Sequence, residues 1–508
     1  MTEPLVLPEP WVSYGRRTTQ LAQAHPDRVA VVFAAQRGEE RLVTWQELDE
    51  KSTRMAHLLA DRGVDHESTV VVGLPNSVEH YFASYGAWKL GACVLPLRHD
   101  LPEWERNRLL DIAGATVIVA DWSDLDPAAG VVVASKEIDA LGDWPDEPLP
   151  DVVPAAARAI ASGGSTGRPK IIRTPYPGAG IPPGQPGTPV TSVLGWEPGQ
   201  VRLIPGPLYH MSPFVMSFTG LFEDMTLVTM ERFQADQAID LIERHRVQHA
   251  LVVPTMLYRM ARVPGVERRD FSSVVSIMSG GAKLAPWVWR KWIELLGPER
   301  IWEAYGATEA HGNTMIRGDE WLEHPGSVGK PVDTDLRILD ENLQELPPGV
   351  VGEIFMRPHG AEGPTFEYIG GAREKRTPDG FAGVGDLGWV DEDGYLFVAD
   401  RRVDMIISGG ANIYPAEVEA CLSEHPDVAD VAVIGLPDPD WGQKVHALVQ
   451  PRAPEAAPSE AELRAFCRSR LARYKVPKSF EFVDILPRND VGKLQRSALV
   501  AERARSET

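Results

Sequence analysis

The 508-residue chain is long enough for about two to four domains, and a hydrophobic content of 43% is ordinary for a globular protein. A net charge of −21 argues against nucleic acid or an anionic membrane surface as the main partner, because both bind basic surfaces. The 3 cysteines are far apart, which argues against a disulfide framework or a thiolate metal site and fits a reducing compartment. Without a basic signal region or an apolar run of about 18 residues, we expect a cytoplasmic protein with no transmembrane segment.

Strand-like apolar runs alternate with helical patterns through roughly the first 300 residues, which is typical of layered βαβ units. After the first run, at 29–35, Thr44 and Glu47 match the pattern of a capping box, in which the hydroxyl and the carboxylate are each expected to satisfy a free N–H. This box predicts the start of an amphipathic helix that continues through Leu59. Further strand-like runs lie at 68–74, 93–97, 116–121, 249–254 and 274–280.

The sequence pattern changes twice toward the C-terminus. Short strands bounded by turns first replace the layered pattern and predict an antiparallel β region. Helical and strand-like patterns then alternate over about a hundred residues, enough for a compact α+β unit with its own core. We therefore predict an α/β fold class. Its parts are a large N-terminal domain at 1–400, with α/β layers to about 334 and a β-rich subdomain at about 335–400, and a small α+β C-terminal lid domain at 401–508.

Three short motifs fit the sequence without their usual structural context. Residues 163–167 match G-x-S-x-G, but the β-branched residues that follow indicate a strand rather than the helix of a nucleophile elbow. The same loop fails the G-x-x-x-x-G-K pattern because Arg168 stands where glycine is required. Residues 383–388 match G-x-G-x-x-G but open no helical pattern. We therefore do not expect a serine hydrolase, a P-loop fold or a dinucleotide-binding fold.

The loop at 161–170, with the sequence ASGGSTGRPK, combines glycines, hydroxyls and a single lysine. Glycines let successive backbone N–H groups approach a ligand closely, and the hydroxyls and Lys170 add further donors, so these are the parts of a phosphate cradle. On these residues alone, an ordinary flexible hairpin loop is the alternative. The loop resembles the phosphate-binding signature of the acyl-adenylate-forming superfamily, which includes acyl-CoA synthetases, luciferases and the adenylation domains of peptide synthetases.

Further segments resemble signatures of the same superfamily and follow in the expected order over essentially the whole chain. A single match of this kind is weak support for the resemblance, whereas several matches in the expected order are specific for the superfamily. The segments are PLYH at 207–210, SGGA at 279–282, YGATE at 305–309, VGDLG at 384–388, DRRVDMIISGG at 400–410 and PRNDVGKLQR at 487–496.

The resemblance implies a reaction in which a carboxylate attacks the α-phosphorus of ATP, and cations and a metal ion lower the electrostatic barrier between the two anions. It implies catalytic roles for Lys493, His210, Thr166 and Glu309, with Glu309 and Thr166 as ligands of Mg²⁺. Lys493 would bridge the substrate carboxylate and the phosphate. The residues implied to bind ATP or AMP are Ser162, Gly163, Gly164, Ser165, Thr166, Gly167, Lys170, Gly280, Gly281, Ala282, Tyr305, Gly306, Thr308, Asp386 and Arg401.

The resemblance also places an acyl pocket beside His210. In this chain methionine follows the histidine where glycine is common in the family, so a differently shaped pocket is expected. Every residue of this pocket has plain core packing as its alternative. The candidate lining residues are His210, Phe214, Val215, Met216, Met256 and Ala304.

In the family the small C-terminal domain swings about a hinge, presenting first its lysine and then a glycine-rich loop to the site. The resemblance places the hinge at Val403, where the family usually has aspartate or lysine, and Asp404 is the polar residue that can substitute. The residues implied to face coenzyme A or another acceptor are Ser408, Gly409, Gly410 and Lys475.

Single residues of the nucleotide site also have structural alternatives. Glu309 can stabilise a helix N-terminus, Tyr305 can be a core aromatic, and Asp386 can form a turn. Lys493 can be a solvated lysine. The order of all the segments favours the functional interpretation.

The leading hypothesis is an ATP- and Mg²⁺-dependent acid–CoA ligase. The segment at 316–332 and the histidine region resemble the branch that includes bile-acid CoA ligases, which favours a bulky or aromatic acid. The alternative keeps adenylation but changes the acceptor, either by loading a carrier protein or by activating nitrite for attack by an arylamine in natural-product biosynthesis. The expected partners are a small carboxylic acid and CoA, with a homodimer as one possible assembly and no nucleic acid.

Overall fold

The computed structural model describes residues 7–125, 129–163, 169–183, 193–361, 365–370, 375–401, 404–408, 411–488, 494 and 496–506. The helices of these segments are α1 (Tyr14–Ala24), α2 (Trp45–Asp61), α3 (Val78–Lys89), α4 (Glu103–Ala113), α5 (Ser135–Asp139), α6 (Met211–Phe222), α7 (Ala235–Arg244), α8 (Pro254–Met260), α9 (Pro286–Leu296), α10 (Gly318–Glu323), α11 (Pro415–Ser423), α12 (Glu460–Arg468) and α13 (Arg496–Ser506). Within these segments, no helix is both long enough and apolar enough to cross a membrane.

The strands of the same segments fall into four large sheets and one short pair. They are β1 (Val12–Ser13), β2 (Val29–Ala34), β3 (Glu40–Thr44), β4 (Thr69–Gly73), β5 (Cys93–Pro96), β6 (Val117–Ala120), β7 (Val131–Val133), β8 (Arg158–Gly163), β9 (Pro169–Thr174), β10 (Ala179–Gly180), β11 (Val201–Ile204), β12 (Thr226–Met230), β13 (His249–Val252), β14 (Ser276–Gly280), β15 (Ile301–Gly306), β16 (Asn313–Arg317), β17 (Lys330–Val332), β18 (Thr334–Leu339), β19 (Gly352–Pro358), β20 (Glu367–Ile369), β21 (Ala382–Val390), β22 (Leu396–Arg401), β23 (Ile406–Ser408), β24 (Ala411–Ile413), β25 (Val428–Asp438), β26 (Gly442–Pro451) and β27 (Ser479–Phe482).

The first sheet has the strand order β20-β9-β8-β5-β4-β6-β7. Strands β5, β4 and β6 are parallel, apolar and buried, as expected for a sheet that is covered on both faces. At the other end, β8 and β9 form an antiparallel hairpin in which Ser162 pairs with Lys170. The strand predicted at 171–174 is therefore confirmed, and the helix of a nucleophile elbow is absent from this described segment.

The second sheet has the strand order β17-β16-β15-β14-β13-β11-β12-β2-β3, and the strands from β15 to β2 are parallel. The carboxyl ends of neighbouring parallel strands meet at one edge of a sheet, where ligands commonly bind. The turns that follow β14 and β15 therefore lie side by side. These turns carry the segments at 279–282 and 305–309, so the fold brings two of the predicted signatures together.

An antiparallel sheet and a C-terminal α+β unit complete the fold. The third sheet, β18-β19-β21-β22, confirms the antiparallel character predicted for this part of the chain. The fourth has the order β24-β23-β26-β25, with β27 beside β26, and α11 and α13 pack against β25. This C-terminal unit has its own apolar core. It contacts the rest of the molecule where the Tyr258 hydroxyl on α8 donates to the carbonyl of Ala429.

An aromatic cluster between α3 and α6 fixes the helix that follows His210. The Trp88 and Phe218 rings lie 4.6 Å apart and almost perpendicular, and Phe214 lies 4.7 Å from Phe218. Edge-to-face pairs of this kind add to the hydrophobic stabilisation. The Trp88 indole N–H donates to the carbonyl of Ala157 at 2.7 Å, which also joins α3 to the first sheet.

Helix α2 begins where the sequence predicts. The Thr44 hydroxyl accepts the backbone N–H of Glu47 at 3.1 Å, so the capping threonine is confirmed. The Glu47 carboxylate accepts from Arg41 at 3.2 Å instead of completing the box. The helix ends at Asp61, two residues beyond the predicted Leu59.

Candidate active site

Three polar side chains from three separate elements meet at the junction of the first two sheets. Lys170, on β9, donates to the Glu309 carboxylate and to the Tyr368 hydroxyl, both at 2.9 Å. Tyr368, on β20, donates to the same carboxylate oxygen at 2.9 Å. Glu309 lies in the turn after β15, and its backbone carbonyl accepts the Thr365 hydroxyl at 3.1 Å. We call Lys170, Glu309 and Tyr368 the phosphate cluster.

The phosphate cluster keeps its carboxylate ionised. Burial raises the pKa of Glu309, but the hydrogen bond and positive charge of Lys170 outweigh burial and hold this pKa below its ordinary value. The hydroxyl of Tyr368 acts in the same direction. An ionised carboxylate oxygen is the ligand type that Mg²⁺ prefers, so the residue present here fits the predicted metal.

Tyr305 and Asp386, which the sequence assigns to adenine and ribose, are in direct contact. The Tyr305 hydroxyl donates to the Asp386 carboxylate at 2.7 Å. Tyr305 is the fifth residue of β15 and Asp386 lies on β21, where it pairs in register with Arg401 of β22. Space beside them is limited at Gly306, because a Cβ at this position would lie 2.5 Å from the Asn313 side-chain oxygen and 3.1 Å from the carbonyl oxygen of Gly312. The second and third sheets therefore meet at the predicted nucleoside site.

The segment directly after the turn at 280–282 is held by a buried glutamate that the sequence interpretation missed. Glu303, on β15, accepts the backbone N–H of Leu284 at 2.8 Å and the indole N–H of Trp289 at 3.0 Å. Burial raises the pKa of Glu303 to about 7. The available signal was an acidic residue inside the otherwise apolar strand IWEAYG. Within the turn, Gly281 has a φ of +85°, which favours glycine, and Gly280 ends β14 while Ala282 is exposed.

Two aromatic side chains that the sequence interpretation also missed lie next to the phosphate cluster. The centre of the buried His311 ring lies 5.1 Å from that of Phe366, with the two rings tilted by 33°, and the Phe366 ring lies 4.7 Å from that of Tyr368. Burial lowers the pKa of His311 to about 4, and the charges of Arg376 and Lys170 act in the same direction. His311 is therefore neutral at pH 7 and adds no positive charge here. Thr308, in the turn before Glu309, is half-buried.

The predicted acyl-pocket residues fall into different parts of the large domain. His210 precedes α6, with its ring 4.7 Å from Tyr209, and the half-buried Val215 lies one turn further on. Phe214 belongs to the aromatic cluster, and Met256 packs in a separate core on α8. One apolar group, which we call the acyl cluster, does bring Met216 and Ala304 together. Its members are Leu194, Trp196, Met216, Leu251, Met278, Trp302, Ala304, Met315 and Val332.

The described C-terminal residues lie in ion pairs and in the sheet. Lys475 contacts both carboxylate oxygens of Glu417, at 2.6 and 2.7 Å, and this partner outweighs burial and raises the pKa of Lys475. Ser408 is buried and pairs with Ala411 and Gly442. The predicted residues outside the described segments are Gly164, Ser165, Thr166, Gly167, Val403, Gly409, Gly410 and Lys493, and the side chains of Ser162 and Arg401 are also undescribed.

Asp404, the alternative hinge residue, is tied to the C-terminal signature. Arg496 donates to Asp404 at 3.2 Å and to both oxygens of Glu419 at 2.8 and 2.7 Å. Arg496 begins α13, three residues after Lys493, and Glu419 lies on α11. A guanidinium that bridges two carboxylates fixes geometry better than a single ion pair. This network links the segment after the predicted hinge to the C-terminal unit.

Comparison with protein families gives two matches. Residues 18–362 match the family described as AMP-binding enzyme, and residues 417–493 match the AMP-binding enzyme C-terminal domain. Among curated proteins, the fatty acid–[acyl-carrier-protein] ligase ScoC of Streptomyces coeruleorubidus is 32% identical, over 94% of each chain. The 2-succinylbenzoate–CoA ligase of Bacillus licheniformis is 33% identical, over 94% of this chain and 98% of its own.

The o-succinylbenzoate CoA synthetase of Bacillus subtilis has the same overall structure. Its complex with the acyl-adenylate OSB-AMP aligns with a TM-score of 0.80 and 29% identity, over 96% of this chain and 98% of the other. Its complex with ATP and magnesium ion gives 0.80 and 30%, over 96% and 99%. A double mutant bound with the product analogue OSB-NCoA gives only 0.65 at 30% identity, over 96% and 98%. The present structure thus resembles the nucleotide and acyl-adenylate complexes more than the product-analogue complex.

Proposed function

Because this chain belongs to the family of AMP-binding enzymes, we propose that it is an AMP-forming acid–CoA ligase that adenylates a bulky or aromatic carboxylic acid. ATP and Mg²⁺ serve the first step, which releases pyrophosphate, and CoA displaces AMP in the second. The observation that carries this function is the phosphate cluster, in which Lys170 keeps Glu309 ionised in the turn directly after Tyr305. The end of β15 and the turn after it would thus supply both a nucleoside contact and a metal ligand.

The nucleotide is held at the edge of the second sheet. Adenine would lie between the turn at 280–282 and the Tyr305 ring, and Asp386 would accept from the ribose hydroxyls. Lys170 would bind the β- and γ-phosphates together with Thr166. When bound, Mg²⁺ neutralises charge on the polyphosphate, with Glu309 and Thr166 as its protein ligands. The contacts of Lys170 with Glu309 and of Tyr305 with Asp386 support these roles, whereas the role of Thr166 is supported by the order of the signatures alone.

Adenylation brings the substrate carboxylate against the α-phosphorus. A carboxylate oxygen forms the new bond to phosphorus while the bond to pyrophosphate breaks. Both reactants are anions, so a positive group that reaches both favours the transition state. We assign this role to Lys493, with His210 at the border of the acyl pocket.

Thioester formation requires the C-terminal unit to present a different surface. The CoA sulfur attacks the acyl carbonyl, and AMP leaves with one oxygen of the original carboxylate. Ser408, Gly409, Gly410 and Lys475 are the proposed acceptor residues, and the turn of the unit would occur at Val403. The Lys475–Glu417 ion pair must open if Lys475 binds a CoA phosphate. The higher TM-score to the acyl-adenylate complex supports an arrangement suited to the first step.

A bulky or aromatic acid is supported by the acyl cluster. Met216 and Ala304 pack together there, and Ala304 directly precedes Tyr305, so apolar surface continues from the nucleoside site. The relatives named for 2-succinylbenzoate and a fatty acid both act on acids larger than acetate.

A carrier protein is the second candidate acceptor. The relative named as a fatty acid–[acyl-carrier-protein] ligase is as similar as the CoA ligases. Both acceptors offer a pantetheine thiol, so the first step is the same for either.

The proposed function is tested by incubating the protein with ATP, Mg²⁺ and a panel of carboxylic acids. CoA, a phosphopantetheinylated carrier protein or neither is added, and AMP, pyrophosphate and thioesters are measured by mass spectrometry. We expect AMP and an acyl-CoA only when acid and CoA are both present. If a thioester forms only on the carrier protein, the carrier protein and not CoA is the acceptor. AMP formation that requires nitrite and an arylamine would contradict the proposal.

A further inference from the structure

A buried arginine lies beside the acyl cluster, near the amino ends of β11, β13 and β14 and so opposite to the edge that carries the turns after β14 and β15. Arg202, the second residue of β11, is 1% exposed, and its guanidinium lies 3.6 Å from the centre of the Trp196 ring. Its Nη1 donates to the carbonyl of Met216 on α6 at 2.7 Å. Among the described residues, its Nη2 has no hydrogen-bond partner. A buried donor without a partner lowers the stability of the folded protein, so a hydrogen-bond acceptor that reaches Nη2 would bind favourably.

Helix α6 is shaped to admit this guanidinium. Gly220 lies where a Cβ would come within 3.0 Å of Arg202 Nη1. Glycine inside a helix is unfavourable compared with alanine. Its use here gives Arg202 access to the carbonyl of Met216. The absence of a side chain at Gly220 therefore leaves room for the buried guanidinium of Arg202.

No neighbouring group in the described part of the chain neutralises Arg202 at close range. The charge of Glu223 acts on it, but the two form no ion pair there. His249, on the same cavity, bonds through its two ring nitrogens to Ser276 and Gln200 at 2.9 and 2.7 Å. Burial lowers the pKa of His249 to about 3, and the charge of Arg202 acts in the same direction. His249 is thus a neutral wall of the cavity.

Arg202, which carries the unpartnered donor, lines a small cavity that is continuous with the acyl cluster. Leu194, Trp196, Met216, Leu251 and Met278 belong to both, and Arg202 and His249 add the polar part of the lining. The cavity measures about 10 Å³, which is near the volume of one water position. Met216 and Met278 are flexible side chains that can move to admit a larger group.

We propose that the acyl pocket ends at Arg202, and that the preferred acid carries a hydrogen-bond-accepting oxygen at the end remote from its reacting carboxylate. This inference rests on the proposed function and names its substrate class. A carboxylate or carbonyl oxygen accepts from Arg202 Nη2, while the apolar body of the acid lies along Met216 and Ala304. A purely apolar tail leaves the buried donor unsatisfied, so the pocket discriminates against it.

The test uses pairs of acids that match in size and differ at the remote end. One pair is para-carboxyphenylpropanoic acid and para-isopropylphenylpropanoic acid, and a second series compares linear dicarboxylic acids with methyl-ended acids of equal non-hydrogen atom count. ATP–pyrophosphate exchange gives kcat/KM for each acid. We expect the acceptor-ended acid to be favoured roughly ten- to hundredfold in the pairs whose length fits the pocket.

Arg202→Met should reduce this preference to about one by slowing the acceptor-ended acid. Arg106→Met is the matched control, because Arg106 is also buried and lies over a tryptophan ring, but on α4 away from the acyl cluster. It should keep the preference. If Arg202→Met does not fold, calorimetry on the unsubstituted protein with paired acyl-sulfamoyl adenylates still decides, since the acceptor-ended analogue must bind more tightly.

Equal rates for both members of every pair, or a preference that persists in Arg202→Met, would overturn the inference while leaving the proposed function intact. An absence of pyrophosphate exchange with every acid would contradict the proposed function, and the inference with it.

Discussion

The nucleotide end and the acyl end of the candidate site are built differently. At the nucleotide end, Lys170, Glu309 and Tyr368 satisfy one another, and Tyr305 bonds Asp386. At the acyl end, apolar side chains line a cavity with Arg202, whose Nη2 has no hydrogen-bond partner among the described residues. The reacting groups of ATP are the same for every substrate acid, so the first end can be fixed. The second end must differ between enzymes that act on different acids.

Glu309→Gln should have the largest effect, and only on the nucleotide end. Loss of the ionised ligand should lower the rate of adenylate formation by roughly 10² to 10³, as for other removed electrostatic groups. ATP–pyrophosphate exchange measures it. Glu367→Gln is the matched control, because Glu367 lies on β20 beside Tyr368 but is exposed. A loss of less than about tenfold in this rate would contradict the proposed role of Glu309 as a metal ligand.

Glu303→Gln should loosen the segment that follows the turn at 280–282. The amide offers N–H groups where two donors already point at the carboxylate, so we expect about 1–3 kcal/mol of destabilisation and a higher KM for ATP. Thermal unfolding and steady-state kinetics measure these effects. Glu294→Gln, at an exposed position on α9, should change neither.

The same glutamate makes stability depend on pH. The folded protein retains the Glu303 proton up to about pH 7, whereas the unfolded chain releases it near the ordinary glutamate pKa of 4.5. The folded state therefore binds more protons in this window, so the stability linked to Glu303 is full below it and falls as pH rises through it. The Tm difference between the unsubstituted protein and Glu303→Gln should shrink as pH rises from about 5 to about 8. A constant difference would mean that Glu303 is ionised throughout.

Tyr368→Phe should have a moderate effect on the nucleotide end. It removes the hydroxyl shared by Lys170 and Glu309 but keeps the ring beside Phe366. Hydrogen bonds to charged groups of this kind suggest a loss of roughly tenfold in kcat/KM for ATP, with no change in acid preference. Tyr176→Phe, on the surface, is the control. An altered acid preference would contradict this prediction, because it would mean that Tyr368 also affects the acyl end of the site.

Phe214→Leu should have the smallest effect and should concern stability alone. Phe214 was predicted to line the acyl pocket, but its contacts are with His80, Trp88 and Phe218 inside the aromatic cluster. We expect a loss of about 1 kcal/mol in the free energy of unfolding and an unchanged order of preferred acids. A changed order of preferred acids would support the predicted role of Phe214 in the acyl pocket.

The difference between the two ends also explains what the sequence could predict. Lys170, Glu309, Tyr305 and Asp386 lie in short segments with specific patterns, and the fold joins Lys170 to Glu309 and Tyr305 to Asp386. Tyr368 carries no such pattern, because it reaches Lys170 only through the pairing of β20 with β9. The acyl cluster is drawn from several separate elements, so no local spacing identifies it. The layered strands were predictable because buried parallel strands are apolar throughout.

The most direct test of whether this protein activates its acid as an acyl-adenylate follows one oxygen atom of the carboxylate. The carboxylic acid is labelled with ¹⁸O in its carboxylate, the reaction is run with ATP, Mg²⁺ and CoA, and AMP and pyrophosphate are analysed by mass spectrometry. If the acid is activated as an acyl-adenylate, each AMP should carry one ¹⁸O and pyrophosphate none. Unlabelled AMP, or label in pyrophosphate, would contradict attack of the carboxylate on the α-phosphorus of ATP.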